Sequence, residues 1–227
     1  MRYLSRRLSA VIGLGLVALV VAGARQVDRH PLTGRIYAGP MSFEGAAWLD
    51  RYEREREERP ERALGIIGLT PGSTVADIGA GSGYFTLKMA KLVGPAGRVY
   101  ASDIQPEMLD IIRRKTARGG YENVTLVLGT GNDPKLPAGT IDLALLVDVY
   151  HEFLEPQAML RRLHAAIKPG GRLVLLEYRE EDPRVPINPL HKMSVKGAKR
   201  EVEAEGFTLT TVNEDLPWQH VLVFTRP

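Results

Sequence analysis

The sequence predicts an α/β fold: a doubly wound, mostly parallel seven-stranded sheet that ends in an antiparallel hairpin. Three observations predict it. From Thr74 onward, short apolar runs rich in β-branched residues alternate with stretches of helical length, the pattern of a parallel sheet covered by helices. The segment Val75-Ala76-Asp77-Ile78-Gly79-Ala80-Gly81-Ser82-Gly83-Tyr84-Phe85-Thr86 reads as a buried strand, a glycine turn and a helix start. The last two apolar runs are joined around Asp215-Leu216-Pro217, a link too short for a parallel crossover.

The chain opens with Arg2, Arg6 and Arg7, then an uncharged run from Leu8 to Ala24 closed by Ala22-Gly23-Ala24. A charged start, an apolar middle and a small-residue end read as a secretory signal peptide over residues 1–24. The alternative is an N-terminal membrane anchor, for which the run falls short of the ~20 residues that span a bilayer comfortably. Ser5-Arg6-Arg7-Leu8 is a loose twin-arginine match. The expected location is exported or periplasmic, with a membrane-anchored or cytoplasmic protein as the alternatives. Residues 25–59 read as linker and N-terminal helix. Pro31, Gly34, Gly39, Pro40 and Gly45 mark an irregular surface linker. Ala46 to Arg59 reads as a helix with Trp48 and Tyr52 four apart, its Glu/Arg run forming a solvated face. Read instead as a lid, this helix turns Trp48 and Tyr52 toward a ligand.

Pro60 opens a helix to about Gly68. The first strand is Thr74–Ile78 and its helix Ser82–Val93, stopped by Gly94-Pro95-Ala96-Gly97. Strand two is Arg98–Ser102, followed by a helix from Gln105 to about Arg118; strand three is Val124–Leu128. Strand four, Ile141–Val147, is a continuous apolar run of the kind buried on both faces. A helix over Pro156–Ile167 breaks at Lys168-Pro169-Gly170-Gly171, before strand five at Arg172–Glu177. A helix near Ser194–Glu205 precedes the terminal strands, Phe207–Val212 and His220–Thr225.

Composition excludes several chemistries. The 227 residues contain no cysteine, which removes disulfides, thiolate metal sites, cysteine-held iron–sulfur clusters and thiol nucleophiles. The 30 basic and 27 acidic residues are largely interleaved and aromatics are sparse, so no nucleic-acid partner is expected.

The glycine turn carries the functional signal. Its core is D-x-G-x-G-x-G, so a ligand can lie directly against the main chain, and Asp77 can accept hydrogen bonds from a ligand ammonium. A dinucleotide fingerprint, G-x-G-x-x-G, would need its third glycine at Tyr84. The pattern resembles the cofactor-binding turn of class I S-adenosylmethionine (SAM) methyltransferases, a Rossmann-like family, over about residues 60–227. That resemblance implies SAM as cofactor and places its site at Asp77, Gly79, Ala80, Gly81 and Gly83. It implies ribose hydroxyls on Asp103 and adenine packing on Ile104. Asn132 and Asp133 would meet the adenine edge, and Asp148 would help hold the amino-acid end. Tyr150, His151 and Glu152 form a polar cluster after strand four, where such enzymes face the methyl acceptor. His151 is the first candidate base, with His191 second and Tyr150 beside them; Glu177-Tyr178-Arg179 and Pro189–Met193 are candidates to line the acceptor pocket. His151, Glu152 and His191 are allowable metal ligands, but no tight spacing joins them, and no metal is expected. The run Asp148–Glu152 together with Leu190–Met193 looks like a group of bacterial methyltransferase-domain proteins, and more distantly like ubiquinone/menaquinone C-methyltransferases. The expected function is methyl transfer to a small-molecule acceptor by in-line displacement. The alternatives are a non-catalytic SAM- or SAH-binding module and, further off, a nicotinamide oxidoreductase. Membrane association through the N-terminal segment is a further expectation.

Overall fold

The computed structural model describes residues 29–227, so the signal peptide or anchor expected over residues 1–24 lies outside the described residues. Among the described residues no helix is long and apolar enough to cross a membrane. In chain order the elements are α1 (Ala46–Leu49), α2 (Arg54–Glu57), α3 (Pro60–Ile67), β1 (Thr74–Ile78), α4 (Tyr84–Val93), β2 (Arg98–Asp103), α5 (Pro106–Gly119), β3 (Val124–Leu128), β4 (Ile141–Val147), α6 (Pro156–Ala166), β5 (Ile167–Tyr178), α7 (Val195–Glu203), β6 (Thr208–Asn213) and β7 (Gln219–Thr225). They build one seven-stranded sheet in the order β3-β2-β1-β4-β5-β7-β6. β1 pairs in parallel with β2 on one side and β4 on the other, so strand order reverses there and a crevice opens at the carboxyl ends. β7 runs antiparallel to both β5 and β6, as the short link at Asp215–Pro217 requires.

The core has two layers, one on each face of the sheet. β4 serves both: Leu143 and Leu145 pack among Leu64, Phe85 and Met89 on one face, while Ala144 and Leu146 pack among Leu160, Leu163 and Val202 on the other. The period-two alternation of a strand does this, and a continuous apolar run is the only pattern that satisfies two buried faces. Each fully buried leucine contributes about 1.5–3 kcal/mol by leaving water.

Three expectations fail locally. The helix over Ala46–Arg59 is instead two one-turn pieces, α1 and α2, after a 3-10 turn at Phe43–Gly45. The carbonyl of Leu49, which a continuing helix would bond internally, accepts instead from the Arg54 guanidinium (2.9 Å), and that of Trp48 accepts from the Arg51 guanidinium (3.1 Å) as well as from the Arg51 N–H (3.3 Å). The helix also has no solvated Glu/Arg face throughout, because Arg54 and Glu58 are buried. The linker is tied down: His30 and Ala38 are buried, and Arg35 bonds both the Glu201 carboxylate (2.9 Å) and the carbonyl of His151 (2.9 Å). The break at Lys168–Gly171 becomes part of β5, absorbed by a register shift between Ile141 and Leu143 on the neighbouring strand.

Candidate functional site

The carboxyl ends of β1, β2 and β4 open into a cavity of about 650 Å³. Its floor is the glycine turn. Gly79 and Gly81 line it with φ of +66° and +53°, the left-handed region that side chains avoid. A Cβ at Gly79 would lie 2.4 Å from Val149 Cγ2, and one at Gly81 would lie 2.7 Å from Leu49 Cδ1. So the turn is glycine for two reasons: its backbone needs positive φ, and Val149 just after β4 and Leu49 of α1 close over it. Ala80 and Gly83 are not among the lining residues; they shape the turn through a Gly83 N–H to Ala80 carbonyl bond of 2.9 Å.

Asp103 lines the cavity at the end of β2. Its Oδ2 accepts from the Gly81 N–H (2.8 Å) and its Oδ1 from the Gln105 N–H (2.9 Å). Ile104 beside it is 46% exposed and offers an apolar face to the cavity. Asn132 and Asp133 do not line it; Thr130 and Gly131 do. The two predicted residues are used elsewhere: Asn132 donates to Glu155 at the head of α6 (3.1 Å), and Asp133 accepts from Lys135 in its own turn (3.0 Å).

Asp77 does not line the cavity either. It is buried behind the turn, where Thr86 Oγ1 donates to its Oδ2 at 2.6 Å. Asp148 is the acid that reaches the space. It sits at φ +50°, and its Oδ2 accepts from Gln219 Nε2 at 2.7 Å. Its Oδ1 is buried with no hydrogen-bond partner. Burial, then the charges of Glu58 and Glu177, push its pKa well above the usual carboxylate range. Arg54 lines the same region, held by Glu58 Oε2 at 2.5 Å. Among the described residues it is the one Lys or Arg on a wall that also carries Asp103, Asp148, Glu152 and Glu155. The cavity therefore favours a cationic ligand group over a pyrophosphate.

The far end holds a row of side chains. Glu177 Oε2 meets His151 Nδ1 at 2.6 Å, and His151 Nε2 meets His191 Nδ1 at 3.0 Å. Glu177 also accepts from the Tyr150 N–H (2.8 Å), which fixes the turn at Tyr150–Glu152. Glu177 and His151 are buried; His191 is the member facing outward. Burial disfavours the charged His151 ring, but the charge and hydrogen bond of Glu177 outweigh it and raise its pKa. Burial, then the neighbouring His151, lowers that of His191. Tyr150 does not join them. It is fully buried, points to the other side, and donates its hydroxyl to Glu201 of α7 at 2.9 Å. Apolar walls come from Met41, Trp48, Phe153, Leu154 and Ile187, so the segment ahead of α3 forms one side of the site. Trp48 faces it, whereas Tyr52 is 83% exposed, because the helix that would align them is broken.

Sequence reasoning missed Arg54 and Gln219 and the orienting role of Glu177. Arg54 and Glu58 are an opposite-charge pair four apart, but so are Arg51 with Glu55 and Glu55 with Arg59, so spacing did not single out the buried tie. Glu177 was visible as an acid ending an apolar strand.

Residues 75–171 match a family model described as a methyltransferase domain. A ubiquinone/menaquinone biosynthesis C-methyltransferase of Hahella chejuensis is 31% identical over 124 residues, 54% of this chain and 48% of that protein. A protein-L-isoaspartate O-methyltransferase of Methanothrix thermoacetophila is 34% identical over 113 residues, 48% of this chain and 50% of that protein. The chain thus spans about half the length of the curated relatives it matches. A solved SAM-dependent methyltransferase from Aquifex aeolicus matches with a TM-score of 0.78 and 27% identity, over 83% of this chain and 100% of that one.

Proposed function

We propose that this chain, which carries a class I SAM-dependent methyltransferase domain, methylates a small-molecule acceptor bound in the same cavity as SAM. The observation that carries the reading is the partnerless Oδ1 of Asp148, beside the glycine turn on a wall dominated by acids. An orphaned buried acceptor is costly unless a ligand donor meets it, and an ammonium group does. The other residues fit the same ligand. The Gly79–Gly81 main chain lets it approach closely, Asp103 accepts from ribose hydroxyls, Ile104 offers a face for adenine, and Arg54 pairs with a carboxylate.

Bound there, SAM supplies a methyl group on a sulfonium leaving group, so positioning alone provides much of the acceleration. The protein's task is to hold the acceptor in line, keep water out and receive a proton where the acceptor loses one. The apolar walls suit a mainly apolar or aromatic acceptor. His191 faces it and takes the proton, with His151 and Glu177 behind to orient the ring. One matching relative is a C-methyltransferase and another an O-methyltransferase, so the acceptor atom differs among them.

Calorimetric titration with SAM and SAH, followed by tritiated-methyl transfer into a cell extract, tests the reading. We expect binding and transfer, with His191→Ala keeping SAM affinity and losing turnover at least tenfold. Binding without transfer would leave a cofactor-binding module; no binding would remove the proposal. The N-terminal run supports export as an accompanying reading. Mass spectrometry of the mature N-terminus after fractionation tests it, and an intact Met1 in the cytoplasmic fraction would refute it.

A further inference from the structure

We propose that His151, Glu152 and His191 form a binding site for a divalent first-row transition-metal ion. The ligands are His151 Nε2, His191 Nδ1 and a Glu152 carboxylate oxygen. The sequence spacing gave no reason to join them, but the fold does. Two 3-10 turns, Tyr150–Glu152 after β4 and Pro189–His191 before α7, face each other across one end of the cavity. All three ligand atoms lie within 4.8 Å of one another.

The distances suit one ion. His151 Nε2 and His191 Nδ1 are 3.0 Å apart, and Glu152 Oε1 lies 4.0 and 3.9 Å from them. Ligands about 2.0–2.2 Å from a central ion sit roughly 3.0–3.6 Å from each other, so the carboxylate has only about half an ångström to move. Two imidazole nitrogens facing each other at 3.0 Å must share something between them, a proton or an ion.

The surroundings match what metal-binding histidines use. The other nitrogen of His151, Nδ1, meets the buried Glu177 carboxylate at 2.6 Å, which makes Nδ1 the protonated atom and leaves the Nε2 lone pair facing the ligand cluster. Three protein ligands on one side leave the remaining positions open to the cavity that all three residues line. Two imidazoles and one carboxylate select zinc, cobalt, manganese, iron(II) or nickel ahead of magnesium or calcium. In the metal-loaded form His191 is a ligand and no longer the base: the open positions take an acceptor oxygen that loses its proton to solvent on binding the ion, a consequence that rests on the methyl-transfer reading; the ion site itself does not.

The test uses the full chain, stripped with chelator and titrated with Co²⁺ in the absence of SAM, so its result is independent of methyl transfer. We expect one Co²⁺ per chain, with visible ligand-field bands, and displacement of the bands by one equivalent of Zn²⁺. His191→Ala and Glu152→Gln should each weaken Co²⁺ at least tenfold, while His164→Ala, away from the cluster, leaves it unchanged. Both test residues are partly exposed, and circular dichroism confirms that each variant is folded. Absence of ligand-field bands in the wild type would overturn the proposal. So would affinity unchanged in folded His191→Ala and Glu152→Gln proteins.

Discussion

Asp77 is enclosed beneath the glycine turn, and its pKa is pushed up to about 6, first by burial and further by the charge of Asp103, against the hydrogen bond from Thr86. An unfolded aspartate titrates near 3.9, so between about pH 4 and 6 the folded chain holds the extra proton. This group therefore favours folding below about pH 4, and that contribution is lost as pH rises toward 6, by about 2–3 kcal/mol. Asp77→Asn keeps an acceptor for Thr86 and removes the titration. Urea unfolding should show the variant gaining on the wild type from pH 4 to 6 and holding a constant margin above; a margin that does not change with pH contradicts the burial argument. The sequence made Gly79, Gly81, Asp103 and His151 legible because a main chain bare of side chains and polar residues at strand ends have few structural uses. It did not reveal which way Tyr150 points, or that Asn132 bonds Glu155 and Asp133 bonds Lys135. For Tyr150 and Asn132 that depends on Glu201 and Glu155 being where the fold puts them.

Among the elements, β4 lies at the centre of the sheet and, like β1, β5 and β7, feeds both layers. Leu145 is fully buried in its centre, between β1 and β5. Leu145→Ala should cost about 2–5 kcal/mol by lost transfer energy and an unfilled cavity. Denaturant unfolding reads it, and a cost under about 1 kcal/mol would mean that the core relaxes to fill the gap. The strands were legible because apolar runs bounded by glycine, proline and polar residues leave little choice of period. The segment Ala46–Arg59 was not, because its helical spacing was real but its backbone carbonyls were captured by Arg51 and Arg54. Side-chain competition of that kind appears only once a tertiary neighbour, Tyr178, holds Glu58 against the two arginines.

Across the whole molecule, the N-terminal segment and α7 are locked together at Glu201, which is fully buried and receives Arg35, Thr33 and Tyr150. The same Arg35 holds the carbonyl of His151, so the tie fixes the His151 end of the cavity from outside the sheet. Arg35→Ala strands a buried carboxylate and should cost ~3–5 kcal/mol. Limited proteolysis should then cut between residues 29 and 45 faster than in the wild type, and equal rates would show that the tie is not what holds the segment. The account as a whole depends on SAM lying against the glycine turn with its ribose on Asp103. Calorimetric titration of SAM into wild-type and Asp103→Ala protein tests that most directly. The expected result is one site per chain, weakened by about 1–3 kcal/mol in the variant, or roughly five- to 150-fold. No heat of binding in the wild type, or equal affinity in the two proteins, would contradict it.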